Sequence, residues 1–313
     1  MSCELRWDEL SREEWEALLA RAPSCALHQD WAYGAAVAQG GHRVHRVVVL
    51  DAGEPVALAQ LVERRLAGFV RLVMLLRGPV WLEPDRAAAR EPEVIRAIRA
   101  RLGPAVLLWT PECTMATDPR CGLRRVMTGY SAVWLDLVPD LATLRARLHG
   151  KWRNRLKRAE AEPIETRVAR DGPLLDWLLA AADAHRAAVG YRAPEPAFYR
   201  RLSAAGPEAD AQLVLVGLER GEPVAGMLVR RHGKAATYLV AYTSERGRDL
   251  RAHHLLLWRA IALLRDRGVQ RFDLGGVDTV NAPGLARFKL GTGGVPATLA
   301  GTYLGAPSVG TGR

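Results

Sequence analysis

Apolar positions recur along this chain in two rhythms. Continuous apolar runs at 44–50, 70–76 and 105–109 read as strands, and so do runs at 212–218, 236–242 and 270–274. Spacings of three and four mark helices over 12–21, 29–39 and 86–102 in the first half. In the second half they mark helices over 141–161, 173–189, 197–204 and 250–267, with a short strand at 164–168. The helices at 86–102 and 250–267 each stop at a glycine, Gly103 and Gly268. The tail 301–313 is glycine-rich and is expected to fray.

The order of these elements repeats. The pentapeptide Gly-Glu-Pro-Val-Ala occurs at 53–57 and again at 221–225, each time between two strands. A third strand, a loop, a helix and a last strand follow in both halves. The first Gly of the pentapeptide lies 50 residues before the helix-ending Gly in one half and 47 in the other. Two copies of one β-β-β-α-β unit are the simplest reading. The expected domains are 1–140, joined by the tail 295–313, and 141–294.

Hydrophobic residues at 49% and charged residues at 25% exclude disorder as the main state. No window of about 18 uncharged apolar residues is present, so no transmembrane helix is expected. The first ten residues lack the apolar core of a signal peptide. Cys3, Cys25, Cys113 and Cys121 show no metal-ligand spacing, so reduced thiols, a cytoplasmic location and no metal site are expected.

Charge changes the picture once it is located. Residues 1–140 carry 17 Lys and Arg against 18 Asp and Glu, whereas 141–313 carry 27 against 16. The excess points to a polyanionic partner: nucleic acid, nucleotide or anionic lipid. Seven of the fourteen residues from Arg145 to Arg158 are basic. On one helix Leu141, Leu144, Leu148, Trp152 and Leu156 form an apolar stripe, with Arg147, Lys151, Arg155 and Arg158 on the next. Such a row suits the phosphates along a nucleic-acid backbone, while a solvated face is the plainer alternative.

A second feature follows the last strand. Gly275 and Gly276, then Gly291, Gly293 and Gly294, allow close backbone approach to a substrate, and Phe288-Lys289 lies between the two clusters. A lysine there suits a phosphate or an oxyanion; the alternative is a surface lysine in a turn-rich loop. Further polar and aromatic candidates are His185, Arg192, Tyr199, Tyr238 and Tyr242. His253-His254 opens a helix but lacks a third metal ligand nearby. No nucleophile–base pair is visible.

The element order, the segment Lys151-Trp-Arg-Asn-Arg-Leu-Lys-Arg-Ala-Glu and the ending Asp273-Leu-Gly-Gly…Phe288-Lys289-Leu-Gly-Thr-Gly-Gly resemble the Fem family. These are aminoacyl-tRNA-dependent peptidyltransferases of the FemAB/FemX type. The resemblance covers nearly the whole chain. It implies an α/β fold of two tandem GNAT-like domains with mixed sheets. It also implies transfer of an amino acid from aminoacyl-tRNA to an amine of a peptidoglycan precursor or a peptide natural product. The acceptor is then a peptide or a nucleotide-linked peptide, with peripheral contact to a lipid-linked precursor, and the enzyme a cofactor-free monomer. The family's functional lysine falls on Lys289. Its tyrosines fall on Tyr199 and on Tyr238 or Tyr242, and Arg192 is nearest to its arginine. Phe288, Gly275 and Gly276 are read as substrate-contacting. No coiled-coil arm interrupts the second unit.

Two departures stand out. The acid expected before a proline at the end of the first unit's last strand is displaced or absent in Trp109-Thr110-Pro111-Glu112. No lysine follows Trp31 in its helix. Two alternatives remain. Acyl-CoA transfer needs small residues in a pyrophosphate-binding turn, where Arg246-Gly-Arg-Asp-Leu-Arg-Ala252 instead puts Asp249 and Arg251. A non-catalytic RNA-binding protein would fit the charge alone.

Overall fold

The computed structural model describes residues 3–112, 121–206 and 211–306; Cys113 lies outside them. The chain forms two compact units, Met1–Ser131 with Ala297–Arg313, and Ala132–Pro296.

The first unit runs β1 (Glu4–Trp7), α1 (Arg12–Arg21), a 3-10 turn (Leu27–Gln29), α2 (Trp31–Gln39), β2 (Arg43–Asp51), β3 (Glu54–Leu66), β4 (Val70–Leu76), β5 (Val80–Trp81), α3 (Ala87–Leu102), β6 (Val106–Thr110) and β7 (Arg124–Met127). The C-terminal strand Thr302–Gly305 inserts between β6 and β7, giving the order β1-β2-β3-β4-β6-C-terminal strand-β7, with β5 on β3. That strand corrects the expectation of a frayed tail for 302–305: its backbone is held by Trp109, Leu108 and Leu107 of β6.

The second unit runs β8 (Ser131–Asp136), α4 (Leu141–Arg147), α5 (Gly150–Glu160), β9 (Glu165–Ala169), α6 (Pro173–Val189), α7 (Pro196–Ala204), β10 (Gln212–Glu219), β11 (Glu222–His232), β12 (Ala235–Thr243), α8 (Glu245–Asp249), α9 (Ala252–Asp266), β13 (Arg271–Gly276), α10 (Pro283–Leu290) and β14 (Val295–Thr298). Its sheet has the order β14-β8-β13-β12-β11-β10-β9. Because β8 pairs with β13, this unit begins ahead of the 140–141 boundary read from the sequence.

The continuous apolar runs are explained by burial on both faces of each sheet. Val47 and Val49 join Val94, Ile95 and Ile98 of α3, while Val48 and Leu50 join Trp15 and Leu19 of α1. In the second unit Leu213 and Leu215 meet Leu256 and Ile261 of α9, while Val214 and Val216 meet Leu175 and Leu178 of α6.

The repeated pentapeptide occupies equivalent hairpins. Ala52-Gly53 turns with φ of 52° and 85°, and Arg220-Gly221 with 52° and 86°. Both central residues have positive φ, as the two-residue hairpin turn that matches strand twist demands. A register shift follows at Val49/Leu50 in one hairpin and at Gly217/Leu218 in the other. Pro55 and Pro223 sit beside these bulges, where a missing N–H disturbs the ladder least.

Three helical expectations change. The helix expected over 141–161 is two helices, because His149 N–H donates to Gly291 O at 2.9 Å instead of continuing the turn. The helix expected to start at Gln29 starts at Trp31, after the 3-10 turn. Residues 283–290, read as loop, form α10, with Pro283 in its first turn, where a missing N–H costs nothing.

Candidate functional site

The two units differ where their parallel strands meet. In the first, β4 and β6 stay paired from Leu72↔Val106 to Leu76↔Thr110. In the second, β12 and β13 pair only at Ala235↔Arg271, Ala236↔Phe272 and Thr237↔Asp273. β13, paired with β8 from Arg271 onward, keeps that strand alone as far as Gly276, while β12 continues to Thr243 on β11. A register shift at Leu228/Val229, opposite Val240 and Tyr238, bends β12 as it leaves. A cavity of ≈ 980 Å³ opens along the departing strand, lined from β12 by Tyr238, Ala241, Tyr242 and Thr243.

Four guanidinium groups line this cavity. Arg155 and Arg158 come from α5, and Arg248 and Arg251 from the segment between β12 and α9. Arg248 donates to Thr243 O at 3.0 Å, and Arg251 to Asp249 O at 2.8 Å. Arg251 lies 3.7 Å from Glu162. No ion pair engages Arg155 or Arg158 among the described residues. Asp249 is the one carboxylate in the lining. An open cavity with such an excess of positive charge along its wall concentrates anions.

Beside the arginines stands a polar pair. The Tyr238 hydroxyl lies 2.8 Å from His253 Nε2. Burial raises the Tyr238 pKa, so the phenol stays protonated. Burial, with a smaller contribution from His254, lowers His253 to about 4, so its ring is neutral. His254 is likewise lowered to about 4, by burial and then by the Arg155 charge. Both rings pack on Phe288, at 5.5 Å and 5.0 Å between centroids. Trp152 closes the cluster: its indole N–H donates to Phe288 O at 3.0 Å.

Lys289 sits in the last turn of α10 with 7% of its surface exposed. Its Nζ donates to Gly276 O at 2.8 Å and lies 6.0 Å from the Tyr238 ring centroid. Burial lowers its pKa, and the Asp273 carboxylate opposes that. The surface-loop alternative for Lys289 is therefore wrong. The lysine is not itself part of the cavity lining; Tyr238 is the residue it shares with it.

The glycines also need correcting. A Cβ on Gly275 would lie 3.6 Å from Lys289 Nζ, and one on Gly291 would meet Trp152 Cδ1 at 2.8 Å. The chain's own side chains approach these positions, and the Gly276 carbonyl serves the lysine.

Other residues singled out in the sequence scatter. Arg155, Arg158, Tyr238, Tyr242 and Phe288 come together around the cavity. Arg147 is on α4, half exposed and 3.9 Å from Asp136; Lys151 is exposed on the first turn of α5. Neither lines the cavity: the break at Leu148-His149 separates Arg147 from the rest of the stripe, and Lys151 stands a turn ahead of Arg155 on α5. Arg192 is exposed between α6 and α7. Tyr199 is buried against α6 in the opposite core layer, and burial raises it to about 12. With Tyr191 it lines a separate cavity of ≈ 90 Å³ that touches β12 at Leu239, Val240 and Ala241. His253, Arg248 and Arg251 were missed as site residues. The histidine pair drew notice only as a metal candidate, Arg251 only as a misfit in a pyrophosphate turn, and Arg248 only as part of that turn.

In the first unit Glu112 holds Arg77 in a two-bond fork at 2.5 and 2.6 Å. Cys3, Cys25 and Cys121 are buried thiols outside any disulfide among the described residues. Among the described residues no group of three or more His, Cys, Asp or Glu could hold a metal ion, and no helix is long and apolar enough to cross a membrane.

Residues 146–290 match the family model described as Acetyltransferase (GNAT) domain. Among curated proteins, none matches this chain. The fold is that of FemX: the FemX crystal structure superposes with a TM-score of 0.81 over 96% of each chain, at 14% identity. A tandem GNAT protein from the clavulanic acid biosynthesis pathway superposes at 0.55, over 97% of this chain and 99% of that one, with 14% identity. The C-terminal domain of a putative lysylphosphatidylglycerol synthetase from Agrobacterium fabrum superposes at 0.54, over 94% and 92%, with 19% identity. The chain thus has a FemX-like fold of two GNAT-like units with mixed sheets.

Proposed function

We propose that this protein is an acyltransferase that forms an amide bond, and that its donor is an aminoacyl-tRNA. The observation that carries this reading is the arginine-lined cavity at the divergence of β12 and β13. Arg155 and Arg158, which no carboxylate engages among the described residues, meet the phosphates near the charged end of the tRNA, with Arg248 and Arg251 in the same lining. Arg147 and Lys151 add weaker contacts outside the cavity. The acceptor is a peptide or nucleotide-linked peptide whose amine attacks the aminoacyl ester directly. Nitrogen–carbon bond formation and carbon–oxygen bond cleavage pass through a tetrahedral oxyanion. Lys289, close to the Tyr238 ring, supplies positive charge to that oxyanion or to a nearby phosphate. Tyr242, Phe288 and Tyr238 shape the donor side. Tyr199, with Arg192 nearby in sequence, belongs to the smaller cavity on the other side of β12.

The match to a GNAT domain gives acyl-CoA a place as the second reading. Against it, Asp249 lies in the lining where a pyrophosphate would sit, and α8 replaces an open turn. Incubation with charged tRNA and a peptide acceptor, followed by mass spectrometry, tests the choice. An aminoacylated peptide supports the first reading. An acetylated peptide formed from acetyl-CoA alone supports the second.

A further inference from the structure

The Tyr238–His253 pair has no part in the chemistry so far, yet its geometry is that of a proton relay. The two side chains come from different elements, β12 and the first turn of α9. They meet at 2.8 Å in the wall of the cavity where the donor's reactive end would lie. Among the described residues His253 Nδ1 is buried with no hydrogen-bond partner, and the Tyr238 hydroxyl is the ring's hydrogen-bond contact. Among the described residues no carboxylate bonds the ring, which packs against Phe288 and the Tyr238 ring.

We infer that Tyr238 and His253 carry the proton of the reaction: the phenol touches the reacting atoms and the imidazole holds the proton in transit. This inference rests on the acyltransfer reading above, with either donor. As the acceptor amine bonds to the acyl carbon, its surplus proton passes to the Tyr238 oxygen while the phenol proton passes to His253 Nε2. When the bond to the donor's oxygen or sulfur breaks, the imidazolium returns its proton through Tyr238 to the leaving atom. The amine loses one proton, the leaving group gains one, and both side chains end as they began. A neutral ring next to a protonated phenol is the starting state this sequence needs. His253 is thus a positioning and proton-holding residue acting through Tyr238. Its low basicity makes the stored proton short-lived and easily returned.

The test compares Tyr238→Phe, His253→Gln, His253→Ala and the Tyr238→Phe/His253→Gln double variant with the wild type. Glutamine keeps a hydrogen bond to the phenol but cannot hold the proton. Expected for Tyr238→Phe and His253→Gln is a fall in kcat of roughly 100-fold or more, with KM for the donor and the melting temperature little changed. The double variant should be no worse than the weaker single one, because the two residues act as a unit. Added imidazole should restore part of the His253→Ala activity. Wild-type kcat in His253→Gln, or additive losses in the double variant, would overturn the relay while leaving the acyltransfer reading intact. A wild-type enzyme that transfers from neither charged tRNA nor acetyl-CoA would overturn both.

Discussion

Lys289 Nζ is tied to the carbonyl oxygen of Gly276 at 2.8 Å, which couples the last turn of α10 to the end of β13. The ammonium is buried, keeps two further N–H donors, and lies close to Tyr238. A charge so placed is costly unless something uses it.

Replacing Lys289 by Ala is expected to lower kcat on the order of 100- to 1,000-fold and to raise KM much less. Lys289→Arg should recover only part of the rate, since the fork is wider than the ammonium and the seat against Gly276 is narrow. Steady-state kinetics with charged tRNA and a peptide acceptor check this. Full activity in Lys289→Ala would remove the lysine from the chemistry and leave it as a tie between two elements.

Gly291 has ordinary helical dihedrals, so its need is spatial: a Cβ there would stand 2.8 Å from Trp152 Cδ1 and 2.9 Å from Arg287 O. Gly291→Ala should therefore cost roughly 1–3 kcal/mol of stability. Because Trp152 holds Phe288, the variant should also weaken donor binding. Chemical denaturation and a binding titration of the same variant read both effects.

Acid stability follows from buried neutral rings. Burial holds His253 and His254 at about 4 and His28 at about 3, below the usual histidine range near 6.5. The unfolded chain takes up protons first, so this stability is fully present above about pH 6.5 and is lost as the pH falls towards 4. Each ring contributes on the order of 2–3 kcal/mol across that window. Glu91, raised by burial to about 7, works in the opposite sense over part of it and offsets about one ring. Thermal melts from pH 7.5 to 4.5 should show a net loss, and His253→Gln should make the loss smaller. A flat profile would contradict the burial of these rings.

Much of the fold was legible because the signal was local and doubled. Ala52-Gly53 and Arg220-Gly221 announce tight hairpins, and the same pentapeptide follows each turn at the same place. Phe288-Lys289 stood out by sequence, but its setting did not. Pro283 and the Leu285–Phe288 spacing were helix signals hidden among glycines. The break after Arg147 depends on a single bond from His149 N–H to Gly291 O, over a hundred residues away, and leaves no Gly or Pro at 148–149 to betray it. The divergence of β12 from β13 is a matter of how far their pairing runs, and apolar runs carry no such information. His253 was therefore weighed for metal rather than for a tyrosine fifteen residues upstream.

The most direct test is a donor-binding titration at several salt concentrations with the wild type, Arg155→Ala/Arg158→Ala and Arg147→Ala/Lys151→Ala. Charged tRNA should bind the wild type with an affinity that falls steeply with salt. The Arg155/Arg158 variant should bind at least tenfold more weakly, with a log–log salt slope reduced by about two. The Arg147/Lys151 variant should lose less, because those side chains lie outside the cavity lining. Tight binding of acetyl-CoA, together with tRNA binding that is absent or indifferent to Arg155 and Arg158, would contradict the account.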